Sequence, residues 1–250
     1  MTAAIRELVL HFSTLGNQVL AQTLVDVCSD PQYQNHEFDE LMLIAARKEV
    51  DTQKSSKAHR LLRLAKLHTS CAHVDQIEYR SDRNLDKSLI DRLATCHFIE
   101  KHQNICISGA SGTGKTFLAK ALCVQACHAG YKSKVVSFPK LMRELQHLQK
   151  VDLLKFEKKL RYYSNIPVLL IDEWLSDVSQ KCWTNILLEL MEMRYSVTST
   201  IICSQLPKEN WPKVLSNIAL GQAILGRVTA ASFTINLEGE DMRKNHATRP

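Results

Sequence analysis

The sequence has little glycine and proline, eight and six residues in 250, and no internal repeat or low-complexity tract. That excludes collagen-like and linker-dominated architectures. No apolar run approaches the roughly 18 residues that a membrane span needs, so no membrane partner is expected. Met1 to Arg6 shows no basic segment leading into an apolar, cleavable stretch, and export is not expected. The eight cysteines are scattered with no CxxC pair, which argues against a zinc ribbon. Cys106 and Cys203 stand inside apolar segments, where a thiol behaves as a small hydrophobe. Cys123 and Cys127, four apart with His128 beside them, lack the second ligand pair of a metal site. The expectation is a reduced, cytoplasmic protein without disulfides.

What is present is a globular composition, 45% hydrophobic and 23% charged, enough for a core and for one or two domains. The formal net charge of +6 is unevenly spread: residues 1–103 hold 13 Lys+Arg against 14 Asp+Glu, residues 104–250 hold 19 against 12. Residues 131–161 alone hold nine basic and three acidic side chains. A second basic stretch, Lys54, Lys57, Arg60, Arg63 and Lys66, has no acid among residues 52–74. At a spacing of three these five wrap around a helix rather than forming a stripe. A charge run is commonly a solvated surface, and the alternative is a polyanion-binding face.

Apolar spacing predicts helices over residues 1–28 (Ile5, Leu8, Val9, Phe12, then Leu20, Leu24, Val27), interrupted near Gly16-Asn17. It predicts one long helix or a pair from Phe38 to Lys66, with Leu41, Ile44, Ala45, Leu61, Leu62 and Ala65 inward. Residues 67–84 read as mixed and polar, and Leu85 to Lys101 as helical. From Asn104 short apolar strands alternate with helices: strands at 105–108, 134–137, 167–172, 200–204 and 232–237, helices at 115–128, 139–149, 152–163, 180–195, 207–216 and 218–227. That alternation implies α/β architecture around a central parallel sheet, preceded by a small all-α N-terminal domain. The division expected is 1–70 helical, 71–84 linker and 85–250 α/β.

Gly109-Ala110-Ser111-Gly112-Thr113-Gly114-Lys115-Thr116, followed by Phe117, matches G-x-x-x-x-G-K-[ST] between a predicted strand and a predicted helix. Glycines let successive N–H groups turn toward phosphate oxygens, and the helix N-terminus favours an anion. Lys115 would reach the β/γ-phosphates of ATP, and the Thr116 hydroxyl would bind Mg²⁺. Asp172 ends the apolar strand Val168–Ile171 and Glu173 follows. A strand-end Asp suits the same Mg²⁺, and an adjacent Glu suits polarising an attacking water, so hydrolysis is favoured over mere binding.

With these motifs in view the sequence resembles the AAA+ ATPases of the IstB/DnaC-like group, and within it the IstB-like helpers of transposition. The likeness extends over Ser29-Asp30-Pro31-Gln32-Tyr33, Leu93-Ala94-Thr95-Cys96, the P-loop, Asp172-Glu173, Ser199–Ile202, Ser204-Gln205-Leu206-Pro207, Ala223–Arg227 and Gly239–Lys244. It implies a P-loop AAA+ domain with a reduced lid. It implies Gln205 as the sensor that meets the attacking water or γ-phosphate, Arg227 as an arginine finger acting on a neighbouring subunit's nucleotide, and Arg243 as a second sensor. Gly226 stands where the group usually has Asp, Asp241 where it usually has Ser, and Trp174 where Phe or Leu is common.

The resemblance further implies a homo-oligomer with inter-subunit ATP sites that assembles on double-stranded DNA, remodels it and recruits or stimulates a cognate transposase. In the related initiators, helices after the second strand touch the DNA backbone. The basic window falls there, making Lys140, Arg143, Lys155 and Lys158 candidate DNA contacts. The N-terminal domain is expected to serve self-association, transposase or DNA contact. The alternatives are a DnaC-like replicative helicase loader and a nucleotide-gated scaffold that hardly hydrolyses.

Overall fold

The structure, a computed structural model, describes residues 2–33, 35–68, 72–177, 183–215 and 217–242. The chain forms two compact units, Met1–Ala58 and His59–Pro250.

In the first unit α1 (Ala3–Thr14) and α2 (Gln18–Ser29) pack as a hairpin, broken at the expected Gly16-Asn17. The Thr2 hydroxyl caps α1 by accepting from the Ile5 N–H. Ile5 and Leu24 are buried with Ala45 of α3 (Phe38–Ala65), and Leu8, Val9, Phe12 and Leu20 pack against them. The 38–66 stretch is thus a single helix, which contributes residues to both units.

The second unit is built on five parallel strands in the order β2 (Ser133–Ser137), β3 (Val168–Asp172), β4 (Ser199–Ser204), β1 (Asn104–Gly109), β5 (Ser232–Leu237). The central strands are apolar along their middle residues because both sheet faces are covered. Their side chains divide with period two. Ile105, Ile107, Val168, Leu170, Ile201 and Cys203 join one core with α4 (Lys87–Ala94), α5 (His97–Glu100) and α6 (Lys115–His128). Cys106, Leu169, Ile171 and Ile202 join the other with α7 (Phe138–Val151), α8 (Leu153–Ser164), α9 (Trp183–Arg194), α10 (Trp211–Val214) and α11 (Ile218–Thr229).

The helix expected over 207–216 is shorter than its apolar spacing suggests. A single 3₁₀ turn at Lys208–Asn210 leads into the four residues of α10. Pro207 and Pro212 bracket that turn, and neither ring tolerates the interior of a continuous helix. The segment 72–84 is irregular, with two 3₁₀ turns. Ala72 and Ile77 are nonetheless buried in the α6-side core, with Val74 and Tyr79 packed against it.

Candidate nucleotide site

The C-terminal ends of β1, β3 and β4 lie side by side at the centre of the sheet, where open parallel sheets hold their ligands. The register aligns Ile107 with Cys203 and Ile171 with Ile202. Beyond those pairs the three strand ends deliver Gly109, Asp172 and Gln205 to one mouth. Asp172 and Gln205 there border a cavity of about 710 Å³, lined also by Gln76, Glu78, Arg83, Ser111, Gly112, Gly114, Lys115, Thr116, Phe117, Glu173, Cys203 and Met242.

The loop between β1 and α6 has the conformation its glycines allow. Gly109 has φ +147°, and a Cβ there would meet the Leu237 carbonyl oxygen at 2.2 Å. Gly114 precedes α6 with φ +91°, and a Cβ there would lie 2.9 Å from Arg83 Nη2. No L side chain fits either place without displacement. Lys115 is 8% exposed, and its Nζ donates to the Gly109 and Ala110 carbonyls at 2.8 and 2.6 Å. The Thr116 hydroxyl donates to Asp172 Oδ2 at 2.9 Å, across 56 residues of sequence. These two hard oxygen donors are the ligand type that Mg²⁺ selects, and they stand beside the lysine that would meet the phosphates.

Glu173 sits at φ +56°, its N–H bonded to Asp172 Oδ1 at 2.9 Å. Trp174 fixes that bend. Its N–H donates to the Cys203 carbonyl at 2.8 Å, and its carbonyl accepts from the Ser204 hydroxyl at 3.2 Å. The buried indole packs on Phe138 and Trp211, with ring centroids 5.4 and 5.5 Å away. Ser204 therefore braces the loop, while Gln205 faces the cavity. Cys203 also lines it, and its Sγ–H donates to the Lys115 carbonyl at 3.6 Å. Burial, reinforced by the nearby Asp172 carboxylate, pushes that thiol well above its usual range, so it remains protonated.

Sequence reasoning gave no role at the site to two residues that the structure sets against the P-loop. Arg83, in the segment expected to be a linker, is 5% exposed. Its guanidinium donates to the Glu78 carbonyl at 2.6 Å and to the Thr113 carbonyl of the P-loop at 2.9 Å. Burial pushes its pKa down. The Arg83 carbonyl accepts from the Glu238 N–H, and the Met242 N–H donates to the Gly112 carbonyl at 3.0 Å. Segments before and after the α/β core thus close on the P-loop from both ends of the sequence.

The second residue is Asp241. A Cβ on Gly112 would meet the Asp241 carboxyl carbon at 2.2 Å, so an acidic side chain rests against the anion-binding loop. A triphosphate entering there meets like charge. Asp241→Ser is expected to tighten ATP binding by about three- to tenfold, with a smaller gain at high salt. Titration with a fluorescent ATP analogue measures it; unchanged affinity would place the carboxylate away from the phosphates.

Of the remaining candidates, Arg227 and the basic residues of α7 and α8 lie away from this cavity. Arg227, on α11, pairs through Nε with Glu192 of α9 and donates from Nη1 to the Ala223 carbonyl at 3.0 Å. It does not line the cavity. Arg243 lies outside the described residues. Lys140 and Arg143 are exposed on α7, Lys155 and Lys158 on α8. Burial and then the charges of Lys66 and Lys159 push the Lys134 pKa down, with Lys140 adding to the effect. Lys66, at the end of the 54–66 stretch, and the 131–161 window therefore contribute to one positive field.

Residues 11–249 match the family of IstB-like ATP binding proteins. The chain belongs to that family. An insertion sequence ATP-binding protein of Sinorhizobium fredii, y4pL, is 30% identical over 93% of this chain and 94% of its own length. The IS232 ATP-binding protein of Bacillus thuringiensis is 25% identical over 100% of this chain and 99% of its own length. Among solved structures the DnaC helicase loader superposes with a TM-score of 0.58 at 20% identity, covering 67% of this chain and 97% of that one, a likeness of fold. The IstB-like assignment and the AAA+ architecture of parallel sheet and N-terminal helices therefore stand as the sequence implied.

Proposed function

We propose that this chain is a Mg²⁺-dependent ATPase that oligomerises on double-stranded DNA and recruits or stimulates the transposase of an insertion sequence. One observation supports the hydrolytic part above others: Thr116 is already bonded to Asp172, with Glu173 next in sequence and Gln205 on the same cavity wall. Lys115 and the P-loop N–H groups would hold the phosphates. Thr116 and Asp172 would hold Mg²⁺, which supplies charge neutralisation on the β- and γ-phosphates. Glu173 would take the proton of the attacking water while Gln205 orients that water.

Transposition is supported by the insertion sequences in the relatives' printed names, whereas the helicase-loader alternative has a likeness of fold on its side. DNA contact is supported by the exposed cations of α7 and α8, Lys140, Arg143, Lys155 and Lys158 among them. An oligomer is supported by Arg227 lying off its own cavity, where a finger serving a neighbour's nucleotide would be placed. The 1–70 segment remains our candidate for contact with the transposase or with another copy.

DNA affinity measured between low and moderate salt tests the second part. With six or more phosphates contacted, affinity falls about a thousandfold or more between roughly 50 and 200 mM salt. A flat profile would contradict backbone contact. For the oligomer, the parent's specific ATPase activity should rise with protein concentration as shared sites form. Arg227→Ala should keep nucleotide affinity and lose that rise. Full turnover by the variant at every concentration would remove the case for a finger in trans.

A further inference from the structure

Helices α7 and α8 meet at a sharp corner. The two helices are separated by a single residue, Asp152, in extended conformation (φ −155°, ψ 95°). Its carboxylate caps α8 by accepting from the Lys155 N–H at 3.0 Å. The corner is held rigidly from behind, since Leu145, Phe156 and Leu160 are buried in the core that the two helices share with β3 and α9. At its front Val151, Leu153 and Leu154 are 69%, 59% and 70% exposed. An apolar prow therefore projects from a lysine-rich helix pair, with exposed Lys150, Lys155 and Lys158 behind it; Lys155 Nζ also pairs with Asp152 Oδ2 at 3.1 Å, and Glu157 is an exposed acid on α8.

Single exposed hydrophobes need no explanation, but three side chains gathered on one rigid corner do. A second copy of the chain is a poor occupant. The prow offers only a few hundred Å² even if wholly covered, well below the roughly 1,000 Å² of a stable protein interface. The surrounding field is also positive, which favours a polyanion. Duplex DNA fits both properties at once. Its phosphates take the lysines, and its base stack accepts one or two apolar side chains as a wedge between steps.

We propose that the Val151–Leu154 corner is an apolar wedge that enters a groove of duplex DNA and unstacks a base step, with Lys150, Lys155 and Lys158 on the flanking phosphates. The proposal rests on the DNA-binding reading above and adds to it the means of deforming the duplex. Backbone contact alone holds DNA without bending it sharply, whereas an inserted side chain creates a local kink. A wedge also suits binding without strong sequence preference, because every step has a stack to open.

The test uses the full chain, a slowly hydrolysed ATP analogue and duplexes carrying 2-aminopurine at several positions, whose fluorescence rises on unstacking. The parent protein should raise the signal about twofold or more on saturation. Val151→Ser combined with Leu154→Ser, both exposed and so not expected to disturb folding, should lose at least four-fifths of that rise. Its DNA affinity should weaken less than about tenfold, with an unchanged salt slope. Lys150→Ala combined with Lys158→Ala should do the converse, lowering the slope by about two and keeping the rise in the saturated low-salt complex.

A parent complex that forms without a rise would overturn the wedge and leave the DNA-binding reading intact. So would a serine variant that keeps the rise, or one that loses self-assembly in the absence of DNA, which would mark the corner as a contact between copies. A parent chain that binds no duplex at all would overturn both.

Discussion

Glu173→Gln should leave ATP binding within about twofold of the parent and lower phosphate release by about a hundred- to ten-thousandfold, the usual contribution of a positioned general base. The reasoning is geometric. Glu173 is held at φ +56° by bonds on either side, from its own N–H to Asp172 and from the Trp174 N–H to the Cys203 carbonyl. Glu173 thus lines the same cavity as the bonded Thr116–Asp172 pair. An amide of equal size keeps that backbone and removes only the basic oxygen. Lys115→Ala provides the contrast, since it should lose binding itself. The checks are a single-turnover ATPase assay and a filter-binding measurement on the same preparations. Unchanged turnover in Glu173→Gln would favour a nucleotide-gated scaffold, and loss of binding would mean that the substitution had disturbed the loop.

The contiguous parts of this site were legible in the sequence because their chemistry is local. Gly109 to Thr116 must follow one another for the backbone to curl around an anion, and Asp172-Glu173 must end an apolar strand to reach it. The fold was legible for a similar reason. Strands with both faces covered are apolar at their centres, and Val168–Ile171 and Ile201–Cys203 show that plainly. Arg83 was hidden because its partner, Thr113, is 30 residues away and its own segment has no periodicity. Trp174 read as a departure from a family pattern, whereas the structure gives the indole a place between Phe138 and Trp211. The Arg227–Glu192 pair joins helices 35 residues apart and left no trace in spacing.

Arg194 shows the same limit most sharply, and it carries the largest stability prediction. In sequence it is a basic residue in the last turn of a helix, a place where cations are normally solvated and favoured by the dipole. In the fold it is 2% exposed, and among the described residues no carboxylate is one of its hydrogen-bond partners. Nη1 donates to the carbonyls of Tyr163, Ser164 and Ile166, Nη2 to Ser199 at 2.6 Å, and Nε to the Thr200 hydroxyl at 2.9 Å. One guanidinium thus gathers the C-terminal end of α8, the approach to β3 and the start of β4. Burial pushes its pKa down to about 9, still above neutrality, so the group is cationic under physiological conditions. The carbonyls around it replace the water it gave up.

Arg194→Met, similar in length and apolar, would leave those buried acceptors unpaired. The expected loss is about 3–5 kcal/mol of stability, or a fall of roughly 6–20 °C in Tm for a unit of this size. Lysine should rescue little, because one ammonium cannot reach acceptors that the planar fork spans. The sign with pH also follows. A folded-state pKa below the unfolded one means that the unfolded chain binds more protons between about pH 9 and the unfolded value, so Arg194's contribution to stability improves as pH rises through that window. Below pH 9 that contribution is constant. Thermal unfolding of parent and variant between pH 7 and pH 10 measures both effects, and a variant within 1 °C of the parent at pH 7 would show that the acceptors are satisfied without the guanidinium.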